Sequence, residues 1–184
     1  MIELSREKLF QGHIFDVSRI RFMLPNGKKR AYDLVEHVDS VTILPIDSDG
    51  TIYFVSQYRV GAGDMLLELP AGVLDPGETP LECAQREIRE EIGMAAGNMQ
   101  ELGSFYLSPG YTDEYMTIFL ASDLYEAPLS PDEDEFLHLE RISKEEVFLS
   151  AFSGRIRDGK TLAALLLAQP YLEIDRAGDH QPKN

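Results

Sequence analysis

A single cysteine, Cys83, stands in the whole 184-residue chain, so no intrachain disulfide is possible and a reducing compartment suits it. Basic residues are also scarce. There are 17 Lys and Arg against 32 Asp and Glu, a net charge of −15. Phosphate backbones and anionic membranes are bound through Lys and Arg, so nucleic-acid and membrane-surface roles are excluded as first readings. Long apolar runs are missing too: the first ten residues hold no apolar core of signal-peptide length, and Leu162 to Ala168 is far too short to span a bilayer. The expectation is a cytoplasmic protein. No internal repeat or low-complexity tract is visible.

What remains is an ordinary globular composition, 43% hydrophobic and 27% charged. Residues 14–24 and 29–37 alternate apolar and polar about Pro25-Asn26-Gly27, which predicts a β-hairpin. Val41–Ile46 and Thr51–Arg59 flank Asp47-Ser48-Asp49-Gly50 and predict a second one. Met65–Leu69 reads as a short strand, and further strands are expected near Glu101–Leu107, Tyr115–Ser122 and Phe136–Arg141. Ser143 with Glu146 forms a capping box for a helix to about Ser153, and Thr161–Ala168 gives a last helix. One helix among strands with two more at the end indicates an α+β domain with a mixed sheet between helices. Residues 1–39 are expected to be a β-stranded extension, 40–174 the main domain and 175–184 a polar tail.

The richest segment is 72–94, where Gly72, Glu78, Arg86, Glu87, Ile88, Glu90, Glu91, Gly93 and Met94 stand at set spacings. Thr79 and Glu82 form a capping box, Pro80 occupies the first helical position, and Gly93 offers a left-handed stop. A helix from about Pro80 to Ile92 follows, with Leu81, Ala84, Ile88 and Ile92 as its apolar stripe. Glu87 and Glu91 are then i, i+4 neighbours, with Glu90 on the same flank. Like charges about 5 Å apart repel by roughly 3 kcal/mol at an effective dielectric near 20, so these acids call for a cation. Hard oxygen donors select Mg²⁺ or Mn²⁺. Read alone, the charge run is an ordinary solvated helix face with an Arg86–Glu90 pair; the glycine entry, caps and full spacing favour the metal reading. Cys83, without a nearby His, reads as a filler.

The same positions match the Nudix box at every defined place, and the chain is identified as resembling the Nudix hydrolases, whose fold is an α/β/α sandwich. Gln57-Tyr58-Arg59, Leu67-Glu68-Leu69-Pro70-Ala71-Gly72, Ser108-Pro109-Gly110-Tyr111-Thr112-Asp113-Glu114 and Asp158-Gly159-Lys160-Thr161 resemble the ADP-ribose pyrophosphatase branch. His37-Val38-Asp39-Ser40 departs from the His-Pro-Gly more often found there. The resemblance implies metal ligation by the Ala71 carbonyl, Glu87, Glu91 and Glu90, with Glu78 and Arg86 pairing to hold the loop that Gly72 opens. It implies substrate contacts from the segments of Arg59, Glu68, Pro109 and Glu114, with Arg59 on phosphate and Glu114 on ribose hydroxyls. The general base is expected from the acidic loop 130–135, Glu133 ahead of Glu135, with Glu90 and Glu114 behind them. An EF-hand reading of that loop fails for want of its glycine and ligand pattern. The implied activity is hydrolysis of the pyrophosphate bond of a nucleoside diphosphate sugar, foremost ADP-ribose to AMP and ribose 5-phosphate. Two alternatives stay open: hydrolysis of another nucleotide, such as a different nucleoside diphosphate sugar or an oxidised nucleoside triphosphate, and nucleotide binding without hydrolysis. An isolated hairpin is only marginally stable, so the extension is expected to pack in a homodimer and help close the partner's site.

Overall fold

Alternation of apolar and polar side chains makes a strand with one face to bury, and the N-terminal part of the chain follows that rule. The computed structural model describes residues 1–130 and 136–172. β2 (Phe15–Met23) pairs antiparallel with β3 (Lys29–His37), from Phe15 opposite His37 to Met23 opposite Lys29. Gly27 takes φ of 77° in the turn, a left-handed geometry that glycine adopts without a Cβ clash. The first expected hairpin is therefore present. A third strand joins it, β1 (Ile2–Gln11), lying along β2 with all ten residues exposed. Sequence patterning leaves residues 2–11 without an element, since charged residues fall on both faces and no stripe distinguishes them.

The second expected hairpin is a correction. Its turn forms, with Gly50 N–H donating to the Asp47 carbonyl at 2.9 Å and Asp47 N–H to the Thr51 carbonyl at 2.8 Å. Its strands then part into different sheets. β4 (Ser40–Pro45) pairs parallel with β9 (Tyr115–Glu126) and antiparallel with β7 (Ala71–Val73), while β8 (Met94–Tyr106) closes the order β7-β4-β9-β8. β5 (Thr51–Arg59) lies instead between β6 (Asp64–Glu68) and β10 (His138–Ser143), and only an Ile46–Ile52 bridge links the two flanks of the turn. The reason is burial. Every residue of β4 is buried, and a strand covered on both faces belongs at the centre of a layered domain.

Along β4, Val41 and Ile43 pack with Cys83, Ala84 and Ile88 of α1 (Pro80–Glu91), whereas Leu44 packs with Ala164 and Leu165 of α3 (Gly159–Ala168). A period of two thus divides one strand between two cores, and the mixed sheet lies between helices as an α+β sandwich. Each fully buried Ile or Leu contributes about 1.5–3 kcal/mol. α2 (Lys144–Phe152) is capped by Ser143, as its sequence requires; α3 is capped by Asp158 and starts two residues earlier than its apolar run. β8 likewise starts at Met94 rather than Glu101, directly after the left-handed Gly93 at φ 72°.

Candidate active site

The expected helix is α1, and its caps are formed. Glu82 N–H donates to Thr79 Oγ1 at 3.3 Å and Thr79 N–H donates back to Glu82 Oε2 at 2.9 Å. The Thr79 hydroxyl and amide hold the Glu82 carboxyl below its ordinary range. The apolar stripe differs from the sequence reading at its start: Leu81 is 42% exposed, and Cys83 takes the buried place with Ala84 and Ile88. Burial, with Glu87 nearby, pushes the Cys83 thiol up to about 12, consistent with a packed, unreactive side chain.

This helix presents its acids to the β4–β7 edge around one guanidinium. Arg86 donates through Nε and Nη2 to both oxygens of Glu78, at 3.0 and 2.8 Å, and through Nη1 to Glu87 at 2.6 Å and Glu90 at 3.0 Å. Its Nη2 also reaches the Val73 carbonyl at 3.1 Å, which ties the loop before the helix to the helix itself. These acids raise the Arg86 pKa further, Glu78 foremost, and the guanidinium lowers that of Glu78. Glu91 turns to the other side and accepts from the Ala71 N–H at 3.0 Å. One cation thus serves Glu78, Glu87 and Glu90, with Glu91 a helical turn from Glu87.

Whether the site suits a divalent ion is a question of donor chemistry. Among the described residues, no three His, Cys, Asp or Glu side chains already stand grouped at metal-holding spacing, and Arg86 spans Glu87 and Glu90. The donors fit nonetheless. Glu87, Glu90 and Glu91 offer hard carboxylate oxygens, and the Glu91 bond to the Ala71 N–H holds the backbone of residue 71 beside them. Gly72 explains how the backbone comes so near: a Cβ there would collide with the Glu87 carboxylate.

Ala71, Gly72, Glu87 and Glu90 line a cleft of about 580 Å³, in the range of small-molecule sites. Of the residues singled out by sequence, Arg59, Ala71, Gly72, Arg86, Glu87, Glu90 and Glu114 all line it. Glu114 accepts from Ser40 Oγ at 2.9 Å and lies 4.0 Å from His37 Nδ1. Glu68 sits behind the cleft, 1% exposed, joined to Arg59 by bonds of 2.9 and 2.7 Å. Glu78 and Glu91 reach the cleft residues through Arg86 and Ala71, and Pro109 lies in the turn where Tyr111 N–H donates to Ser108. Glu133 and Glu135 lie outside the described residues. Sequence reasoning assigned no role to Lys160, His37, Ser40 or Ile14, which also line the cleft. Lys160 left a signal inside the Asp158–Thr161 segment, and His37 and Ser40 one inside the His37–Ser40 segment; their place in the site depends on β3 and β4 meeting the 107–114 loop, where Asp113 N–H donates to Val35, His37 N–H to Asp113 and Ser40 Oγ to Glu114.

Comparison with known proteins agrees with this geometry. A family model described as NUDIX domain matches residues 36–165. An ADP-ribose pyrophosphatase of Bacillus subtilis (strain 168) is 34% identical over 176 residues, covering 95% of this chain and 93% of that protein. A methanol dehydrogenase activator of Bacillus methanolicus is 33% identical over 180 residues, covering 97% and 95%. A crystal structure of an ADP compounds hydrolase superposes with a TM-score of 0.84 at 28% identity, covering 92% of each chain.

Proposed function

The chain belongs to the Nudix family, and from that premise we propose that it is a divalent-metal-dependent pyrophosphohydrolase of nucleoside diphosphate sugars, with ADP-ribose cleaved to AMP and ribose 5-phosphate. The observation that carries the reading is the two-sided cleft: the carboxylates of Glu87 and Glu90 and the backbone of Ala71–Gly72 share it with Arg59. A diphosphate needs both kinds of wall. The names of the relatives, an ADP-ribose pyrophosphatase and an ADP compounds hydrolase, support the adenosine side of the substrate.

Glu87, Glu90, Glu91 and the Ala71 carbonyl would hold Mg²⁺ or Mn²⁺, which when bound neutralises diphosphate charge and acidifies water. Arg86 and Glu78 keep the helix and its entry loop in one piece, so the acids do not drift apart. Arg59 donates to a phosphate oxygen and Glu114 accepts from ribose hydroxyls. Glu133 takes the proton of the attacking water, with Glu135 as the next candidate and Glu90 behind it.

The reading includes a homodimer built on residues 1–39, with 40–174 as the hydrolase domain and 175–184 as a tail. β1 leaves Ile2, Leu4, Leu9 and Phe10 exposed, and residues 1–37 carry seven Lys or Arg against five Asp or Glu while the chain as a whole is −15. An uncovered strand within a segment that is basic relative to the rest of the chain suits the acidic body of a second copy. Among the described residues no helix is long and apolar enough to cross a membrane, and with one buried cysteine a cytoplasmic setting is the one we assign.

A substrate panel tests the proposal. With Mg²⁺ present, ADP-ribose, ADP-glucose, GDP-mannose and an oxidised nucleoside triphosphate are compared, and ADP-ribose is expected to give the highest kcat/KM, with AMP as product. A higher value for another substrate moves the specificity, and binding without turnover of any of them replaces the enzyme by a nucleotide-binding domain.

A further inference from the structure

Glu114 stands just before β9, and its backbone is fixed on both sides: its N–H donates to Thr112 Oγ1 at 3.2 Å and its carbonyl accepts from Leu107 N–H at 3.2 Å. Its carboxylate is held separately. Ser40, the first residue of β4 and 5% exposed, donates through Oγ to Glu114 Oε1 at 2.9 Å. Backbone pairing of Ser40 with Met116 aligns β4 and β9 without that bond, so what the hydroxyl adds is the direction of one side chain. The carboxylate has no full counter-charge. Among the described residues no Lys or Arg lies within 4.0 Å of it; the basic side chain that reaches it is His37, whose Nδ1 is 4.0 Å away and bonded to the Val38 carbonyl at 2.6 Å. Glu114 Oε2 makes no hydrogen bond among the described residues.

We propose that Ser40 is a positioning residue for the sugar end of the substrate: by fixing Oε1 it turns the rest of the Glu114 carboxylate to the hydroxyls of the terminal sugar, and so sets a preference for a hydroxylated sugar over one without hydroxyls. The proposal rests on the pyrophosphohydrolase reading and deepens it by naming what orients Glu114. Ser40 and Glu114 both line the cleft. With its side chain 20% exposed and no Lys or Arg beside it, Glu114 bears a desolvation cost that stability alone gives little reason to keep. A receptor for hydroxyls gives a reason. A carboxylate offers about four lone-pair sites, and Ser40 fills one of them. Phosphate oxygens are repelled by the remaining sites, whereas sugar hydroxyls donate to them, so the same group also discourages a reversed substrate. Ordering the carboxylate before the sugar arrives removes a rotamer cost from binding and from the transition state.

The test uses full-length, Mg²⁺-saturated protein and two substrates that differ at the sugar end alone: ADP-ribose, and ADP esterified with tetrahydrofurfuryl alcohol, which keeps the ring and lacks its hydroxyls. Wild type is expected to favour ADP-ribose. Ser40→Ala should lower kcat/KM for ADP-ribose about tenfold, as loss of a bond to a charged group implies, and leave that for the second ester within about threefold of wild type. Made in a Glu114→Ala background, the same substitution should cost less than about threefold on ADP-ribose. An equal fall on both substrates assigns the bond to the fold and overturns the proposal, as does wild-type selectivity in folded Ser40→Ala or no preference by wild type. An undiminished cost in the Glu114→Ala background overturns the route through Glu114. Should Ser40→Ala not fold, Ser40→Cys is read in the same way. If wild type releases AMP from neither compound, the pyrophosphohydrolase reading fails; the contrast is then read from calorimetric binding of the two, with the same outcomes deciding.

Discussion

Gly72 shows how one residue without a side chain decides where a functional one can stand. Its Cα faces the Glu87 carboxylate so closely that any Cβ must displace it. Gly72→Ala should therefore lower kcat by about 10²-fold or more while the thermal transition stays cooperative, because misplacing a charge-bearing group costs rate more than fold. Activity and melting measured on one preparation check this, and an alanine variant with wild-type kcat would contradict it. Residues of this kind are legible in sequence, since Gly72, Glu78, Arg86, Glu87 and Glu91 lie on one loop and one helix where spacing is geometry. Lys160 and Glu68 are not: they lie 92 residues apart, and only the docking of α3 on β6 brings them together.

At the scale of elements, α1 owes its start to Thr79 and Glu82 and its stop to Gly93, all visible beforehand. Thr79→Ala removes the capping acceptor and should cost about 1 kcal/mol, lowering Tm by about 2–4 °C, with Thr79→Ser close to wild type. Calorimetry of the two variants checks it; an unchanged Tm for alanine would show that packing alone sets this terminus. The β4–β5 pair shows the opposite case. Asp47–Gly50 announces a turn correctly, but local residues do not say whether the strands leaving it stay paired. That depends on β9 offering β4 a parallel partner more than 70 residues later, and on β6 and β10 enclosing β5. Likewise β1 has no stripe to read, because nothing among the described residues covers it.

For the whole molecule, the exposed β1 and the basic N-terminal part predict association. Sedimentation at micromolar concentration should give twice the 20.7 kDa of one chain, and rising salt should weaken the assembly by screening. A monomer at all concentrations would contradict the dimer and leave the cleft to be closed from within one chain, where Ile14 already lines it. The role of the α1 acids as metal holders is tested most directly by AMP release from ADP-ribose in Mg²⁺ and in excess EDTA, for wild type, Glu87→Gln and Glu91→Gln. Wild type is expected to turn over with Mg²⁺ and not in EDTA, and each folded variant to be slower by at least about 10²-fold. Turnover in EDTA, or a wild-type rate in both variants, would contradict a metal held by these acids.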